Sequence, residues 1–188
     1  MARTRWAHVI GVDDAPFPGS TAAMCSSSAW RCRGAASTAS STHVRRDGKN
    51  ATSALAEMIR GSQFIGHLQA VLLQGIALAG FNVVDIHALH EELQRPVLVM
   101  ARKPPDMPAI RRALLLRVPG GEAKWQLIEK AGPMEQAGNV LVQRAGLDLD
   151  EARALLDAFL EEGNVPEPLR LAHLIAGGVT TGKSRGRA

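Results

Sequence analysis

Short apolar runs recur along this chain of 188 residues, and segments with helical periodicity separate them. The runs cover residues 7–13, 70–78, 96–101 and 139–143, and a glycine interrupts the second. Short continuous apolar runs are typical of strands that are buried on both faces of a sheet. Buried strands that alternate with helices predict an α/β domain with at least some parallel pairing.

The segments between these runs carry helix signals. Leu55, Met58 and Ile59 follow helical spacing in the segment 52–62, for which Thr52 is the expected N-cap. Periodicity and capping residues predict further helices over residues 85–93, 106–116, 121–131, 148–162 and 166–177. Nothing marks a domain boundary, so we expect residues 1–188 to form a single domain.

Residues 18–41 depart from this pattern. They hold seven Ser and six Ala, and they contain no Val, Ile, Leu or Phe. Their composition favours a flexible loop, but loops longer than about 15 residues are uncommon inside a compact domain. A second interpretation is a stretch altered by two compensating frameshifts.

Composition and charge exclude few functions. The net charge of +4 is compatible with nucleic-acid binding without demonstrating it. No apolar run reaches the roughly 18 residues of a membrane span, and the N-terminal segment lacks a secretory signal pattern. Two cysteines without that pattern indicate neither a disulfide framework nor a zinc site. We therefore expect a cytoplasmic protein with no membrane partner.

Residues 177–184, GGVTTGKS, match the phosphate-loop pattern G-x-x-x-x-G-K-[ST]. A phosphate loop follows a strand and precedes a helix, because the helix N-terminus must face the phosphate. Gly177 instead follows a predicted helix. We interpret the match as a coincidence that overlaps the basic tail 179–188, and we expect no nucleoside triphosphate to bind.

Several charged side chains stand where predicted elements begin or end: Asp13, Asp14, Asp47, Asp85, Lys103, Arg170 and His173. Each has an ordinary structural explanation when it is taken alone. Asp85, for example, is the expected N-cap of the helix that it precedes. Taken together, the acids, the lysine and the Arg/His pair resemble a metal-dependent nuclease site, since Mg²⁺ prefers carboxylate oxygens.

Five segments carry a family resemblance: HVIGVDDAPF (8–17), STHVRRDGKNAT (41–52), LLQGIALAGFNVVDIHALH (72–90), PVLVMARKPPDM (96–107) and VPEPLRLAHLIAGG (165–178). The chain resembles the endonuclease dU family, a prokaryotic and chiefly archaeal group similar to endonuclease V. The resemblance implies a ribonuclease H-like fold with a mixed five-stranded sheet and helices on both faces. The first three strands of that fold form an antiparallel meander, so residues 18–41 would hold the second strand and the start of the third. Matching segments on both sides favour the frameshift interpretation.

The resemblance also implies an activity, the Mg²⁺- or Mn²⁺-dependent hydrolysis of phosphodiester bonds in damaged, deoxyuridine-type DNA, with RNA open as an alternative substrate. Asp13 matches a metal ligand of the first strand, and Arg46-Asp47-Gly48 matches a second acidic position. The implied catalytic residues are Asp13, Asp47, Lys103 and His173. The implied metal ligands are Asp13, Asp14, Asp47 and Asp85, and the implied nucleic-acid contacts are Arg46, Lys49, Arg102 and Arg170. The oligomeric state is open.

One position departs from the family pattern. The third acid of the site belongs to an Asp-Gly motif after a strand, and here Gln74-Gly75 occupies that place. A glutamine is a neutral and weaker ligand, for which Asp14 or Asp85 would have to compensate. The alternative interpretation is therefore a nucleic-acid-binding protein of the same fold with little or no cleavage activity.

Overall fold

The computed structural model describes residues 6–14, 23–32, 38–161 and 163–181. The strands of these segments are β1 (His8–Asp14), β2 (Ala23–Cys32), β3 (Thr38–Arg45), β4 (Ala70–Gln74), β5 (Ala77–Leu78), β6 (Asn82–Val83), β7 (Val97–Ala101), β8 (Glu135–Ala137) and β9 (Val140–Ala145). The α-helices are α1 (Ala51–Arg60), α2 (Ile86–Leu93), α3 (Met107–Arg117), α4 (Gly121–Lys130), α5 (Leu149–Phe159) and α6 (Glu167–Thr181), and a short 3-10 helix spans Ile65–His67.

One sheet organises this part of the chain, in the order β3-β2-β1-β4-β7-β9-β8. β1, β2 and β3 form an antiparallel meander, and β1, β4 and β7 run parallel to one another. These five strands are the predicted mixed sheet. β9 and β8 extend it by antiparallel pairing, and β5 pairs with β6 in a separate hairpin.

Helices cover both faces of the sheet, as predicted. α1 and α2 bury Leu55, Ile59, Ile86 and Leu89 against one face. α5 and the first turn of α6 bury their apolar side chains against the other. Within the described residues, no helix is both long enough and apolar enough to span a bilayer.

The Ser/Ala-rich stretch forms strands wherever the structure describes it. β2 spans Ala23–Cys32 and β3 begins at Thr38, so the loop predicted from composition is wrong for these residues. β2 pairs with β1 on one side and with β3 on the other, and this position in the sheet outweighs the weak strand propensity of Ser and Ala. Residues 18–22 and 33–37 lie outside the described segments, and the frameshift interpretation stays a prediction.

Two further local expectations need correction or refinement. Asn50, not Thr52, precedes α1, and Thr52 lies inside the helix, where its Oγ1 accepts a hydrogen bond from the backbone of Asp85. α6 continues to Thr181, so positions 177–181 of the phosphate-loop match are helical, and positions 182–184 lie outside the described segments.

The parallel strands bring the candidate site to one edge of the sheet. β1, β4 and β7 all end at this edge, because parallel strands share one direction. Gly11 lets α6 lie directly on β1, since a Cβ at this position would lie 2.3 Å from the carbonyl carbon of Pro168. The first turn of α6 therefore crosses β1 just before the strand ends.

Candidate functional site

The centre of the site is the contact between the end of β1 and α6. Asp13 is 5% exposed, and its Oδ2 lies 2.7 Å from Nδ1 of His173. Its Oδ1 accepts a hydrogen bond from the backbone N–H of Asp14. Burial raises the pKa of Asp13 above its ordinary value, and these hydrogen bonds only partly offset that rise. The structure thus brings two of the predicted catalytic residues into direct contact.

Gln74 lies beside Asp13 at the end of the neighbouring strand. Val12 pairs with Leu73 in the parallel ladder, so Asp13 and Gln74 follow side by side on the same face. The side-chain Oε1 of Gln74 is buried and has no hydrogen-bond partner among the described residues. Leaving such an acceptor unpaired costs roughly 1–3 kcal/mol. A cation at this place would satisfy it.

This pair of oxygen donors fits a hard divalent cation. Mg²⁺ takes carboxylate and amide oxygens and is bound through one or two carboxylates together with water and phosphate. In the described segments, no three Asp, Glu, His or Cys side chains stand close enough together to hold a metal ion. Asp13 and Gln74 would thus offer one carboxylate and one amide oxygen to such an ion.

Asp14 and Asp47 both contact the turn between β5 and β6, which contains Ala79 and Phe81. The Oδ2 of Asp14 accepts a hydrogen bond from the N–H of Ala79, and the N–H of Asp47 donates to the carbonyl of Ala79. The N–H of Phe81 donates to Oδ1 of Asp47 at 2.8 Å. Burial raises the pKa of Asp14, although the bond from Ala79 counters part of the rise. The backbone N–H and carbonyl of Ala79 therefore link Asp14 to Asp47.

A buried lysine that the sequence did not reveal also contacts Asp47. Lys124 of α4 is 5% exposed and donates a hydrogen bond to the main-chain carbonyl of Asp47. Its sequence signal is weak, because a lysine in an amphipathic helix is normally solvated. The sequence indicates its burial only through its position one turn before Ile128, on the apolar face of α4.

Asp85 has a structural role. Its Oδ1 accepts hydrogen bonds from the backbone of His87 and Ala88, as the predicted N-cap of α2, and its Oδ2 lies 2.8 Å from Nζ of Lys130. Burial raises the pKa of Asp85, but the bonds from Lys130 and the backbone outweigh it and hold the pKa below 3.8. We leave Asp85 out of the site proposed below.

The predicted basic residues surround this edge of the sheet. Arg102 and Lys103 are exposed and directly follow β7. Arg170 lies one turn before His173 on α6 and forms an ion pair with Glu167 at 2.5 Å. Arg46 is exposed, with its Nε 3.8 Å from Oδ2 of Asp47, and Lys49 is exposed in the turn that follows.

An apolar cavity of about 640 Å³ adjoins the same edge. Its walls include Gly75, which follows Gln74, and Ala101, which precedes Arg102 and Lys103. Gln143 lines the cavity and is 3% exposed. The Nε2 of Gln143 donates to the carbonyl of Gly132, whereas its buried Oε1 has no partner among the described residues.

Comparisons with known proteins identify the relatives of this chain. A family model described as endonuclease dU matches residues 5–180. A UPF0215 protein of Deinococcus radiodurans is 51% identical over 196 residues, which cover 99% of this chain and 95% of that protein. Both matches span the sheet and the candidate site.

Solved structures share the fold. A crystal structure of a protein of unknown function from Archaeoglobus fulgidus has a TM-score of 0.84 and 33% identity, over 93% of this chain and 98% of that one. Ciona intestinalis endonuclease V, crystallised with a 24mer DNA containing an inosine followed by a ribo-adenosine, has a TM-score of 0.54 and 14% identity, over 88% and 82%. The second likeness shows the fold alone, and it confirms the predicted ribonuclease H-like architecture.

Proposed function

Because this chain belongs to the endonuclease dU family, we propose that it is a divalent-metal-dependent endonuclease acting on DNA that carries deaminated bases of the deoxyuridine type. The observation that carries the proposal is the pair of buried oxygen donors at the edge of the sheet. Asp13 and the unpartnered Oε1 of Gln74 lie side by side where β1 and β4 end, with His173 in contact with Asp13.

Asp13 and Gln74 would hold the cation, Mg²⁺ or Mn²⁺, with Asp47 and Asp14 as neighbouring carboxylates. Such an ion, when bound, polarises the phosphodiester and lowers the pKa of a coordinated water. His173 keeps the Asp13 carboxylate in one orientation through its ring nitrogen. Residues that orient a metal ligand in this way tune the site nearly as strongly as the ligand does.

Basic side chains complete the site. Lys103 would offset negative charge that develops on the phosphate during cleavage. Arg46, Lys49, Arg102 and Arg170 would follow the phosphate backbone without reading its sequence. In this proposal the protein acts in DNA repair in the cytoplasm.

The apolar cavity supports recognition of a nucleobase rather than of the phosphate backbone. A phosphodiester backbone is charged and gains little from an apolar cavity, whereas a nucleobase extruded from the stack presents a flat and largely apolar surface. Gln143 lines this cavity, and its buried Oε1 is an unpartnered acceptor that a rotation of the side chain would turn toward a bound base. Uracil presents an N–H at the ring position where cytosine has only a lone pair, so an acceptor there favours the deaminated base.

A nicking assay tests the proposal. The substrates are duplexes with a single deoxyuridine, with a single deoxyinosine and without damage, together with the matching RNA, each in Mg²⁺ or in EDTA. We expect metal-dependent nicking of the deoxyuridine duplex that Asp13→Asn abolishes. Asp150→Asn, which removes an exposed carboxylate of α5, is the matched control. If the RNA is cleaved in preference to the DNA, RNA is the substrate. Nicking that persists in EDTA would contradict the proposal.

The neutral side chain of Gln74 favours a second candidate function. A site with one carboxylate fewer binds metal more weakly, and the chain would then bind nucleic acid without cutting it. Equal DNA affinity in Mg²⁺ and in EDTA, with no nicking by folded protein, would establish this alternative.

A further inference from the structure

Lys124 is a buried lysine to which the proposed function assigns no task. It shares the inner face of α4 with Trp125 and Ile128 and is 5% exposed. Lysine side chains are almost never this buried unless a partner compensates for the lost hydration of the ammonium group. The contacts of this ammonium group therefore indicate what the lysine does.

The ammonium group reaches across the structure to the backbone of the site. It donates to the main-chain carbonyl of Asp47, although 77 residues separate the two positions. α4 itself is held firmly, because a Cβ at Gly121 would lie 1.9 Å from the carbonyl oxygen of Leu114. The lysine thus links a fixed helix to the turn that carries Asp47.

Asp47 needs such support because its backbone is left-handed. Its φ is +48°, in the left-handed region that favours glycine and that Asp enters more readily than most other residues. Ala79 accepts from the backbone N–H of Asp47, and Phe81 donates to its carboxylate. Lys124 binds the carbonyl, so each polar group of Asp47 has a contact that favours this conformation.

We propose that Lys124 is a positioning residue, whose hydrogen bond to the Asp47 carbonyl maintains the left-handed backbone that keeps the Asp47 carboxylate against the Ala79–Phe81 turn. The inference rests on the proposed function, since it assigns the lysine to a carboxylate of that site. The competing role is direct contact with a phosphate. A second cavity of about 770 Å³, lined by Lys124, Lys49 and Arg45, raises that alternative.

The Mn²⁺ affinity of the metal-free protein distinguishes the positioning role from direct phosphate contact, because the two roles predict opposite changes in affinity for Lys124→Met. Lys124→Met removes a positive charge near the site, and on electrostatic grounds alone this would tighten cation binding. Loss of positioning has the opposite effect, and we expect the dissociation constant for Mn²⁺ to rise about tenfold. Lys130→Met, which removes an exposed lysine from the same helix, should leave it unchanged.

A double-mutant cycle shows whether Lys124 acts through Asp47. In the Asp47→Ala background, Lys124→Met should cause no further loss of Mn²⁺ affinity. An additional loss in that background, or tighter binding in the single variant, would overturn the positioning role.

Hydrogen exchange provides a readout that does not need the metal. The N–H of Phe81 donates to the Asp47 carboxylate, so its exchange should become about tenfold faster in Lys124→Met if Asp47 leaves its conformation. A tenfold change corresponds to about 1.4 kcal/mol of local protection. Lys124→Arg, which keeps a donor, should restore most of the protection. If Lys124→Met does not fold, Lys124→Ala, which also lacks a donor, replaces it.

The two proposals fail in different ways. A wild-type protein that neither binds Mn²⁺ nor nicks DNA refutes the proposed function, whatever the exchange rates show. Unchanged protection of Phe81 in a folded Lys124→Met variant refutes the positioning role, whatever the activity of the wild type.

Discussion

Nδ1 of His173 lies 2.7 Å from Oδ2 of Asp13, although 160 residues separate these positions in the chain. Asp13 is almost fully buried, and burial raises its pKa. The ring nitrogen contacts one oxygen of this carboxylate and the backbone N–H of Asp14 donates to the other, so the carboxylate is held in one orientation, which is what a metal ligand requires.

His173→Ala should therefore reduce metal-dependent nicking by about 10- to 100-fold, because the Asp13 carboxylate loses the group that orients it. The measurement is the single-turnover nicking rate on the deoxyuridine duplex. His43→Ala, which removes an exposed histidine from β3, should leave that rate unchanged. An unaffected rate in His173→Ala would show that the contact has no part in the reaction.

Gln74→Asp should convert a weak site into a stronger one. The added carboxylate should tighten Mn²⁺ binding about tenfold, because carboxylate count sets the affinity for hard cations. Without metal the same change should lower the melting temperature, since two buried carboxylates then repel each other. Gln136→Asp adds the same charge at an exposed position of β8 and controls for net charge. Weaker Mn²⁺ binding by Gln74→Asp would place the cation elsewhere.

Gln143→Leu should lower kcat/KM on the deoxyuridine duplex about five- to tenfold, the effect of one lost hydrogen bond of about 1 kcal/mol. Binding to undamaged DNA should not change, because the phosphate contacts lie outside the apolar cavity. Equal losses on damaged and undamaged DNA would indicate a general structural effect rather than recognition of the base.

Asp85→Asn should reveal the stability that the charged Asp85 contributes. The pKa of Asp85 is lower in the folded protein than its ordinary value of 3.8, so the ionised form stabilises the fold above that pH. The contribution disappears as the pH falls through the lowered pKa. We expect Asp85→Asn to cost about 0.5 kcal/mol in free energy of unfolding at pH 7, and the difference from wild type should vanish in acid. Urea unfolding between pH 7 and pH 3 provides the measurement, and a difference that grows in acid would contradict the assignment.

Gly11→Ala should disrupt the approach of α6 to β1. The new methyl group would lie 2.3 Å from backbone atoms of Pro168, so the helix must shift, at a cost of about 1–3 kcal/mol in stability. The shift should also weaken the contact between His173 and Asp13 and reduce nicking. Gly66→Ala is the matched control, because no atom lies within 4 Å of the added Cβ.

Local patterns predicted most of the elements. Most of the buried strands, the helices, the cap Asp85 and the cap Asp148 at the start of the predicted segment 148–162 were confirmed, because periodicity and capping depend on residues close together in the chain. β6 and β8 were missed, since strands of two or three residues carry no periodic signal. The run 70–78 was predicted as one strand, but β4 ends at Gln74, and Ala77–Leu78 form β5 in the separate hairpin. Composition favoured a loop for the Ser/Ala-rich segment, whereas the family resemblance implied strands. The strand character of this segment comes from the strands on either side of it.

The sequence by itself determined the α/β class and the placement of Asp13, Asp14 and Asp47 where elements end. Tertiary structure alone decided how these residues are used. Alternation along β1 directs Asp13 toward α6 and Asp14 toward the Ala79 turn, and the parallel register places Gln74 beside Asp13. α4 brings Lys124 to the backbone of Asp47. These contacts join residues that are far apart in the chain, so packing of the sheet and its helices sets them, and no local pattern encodes them.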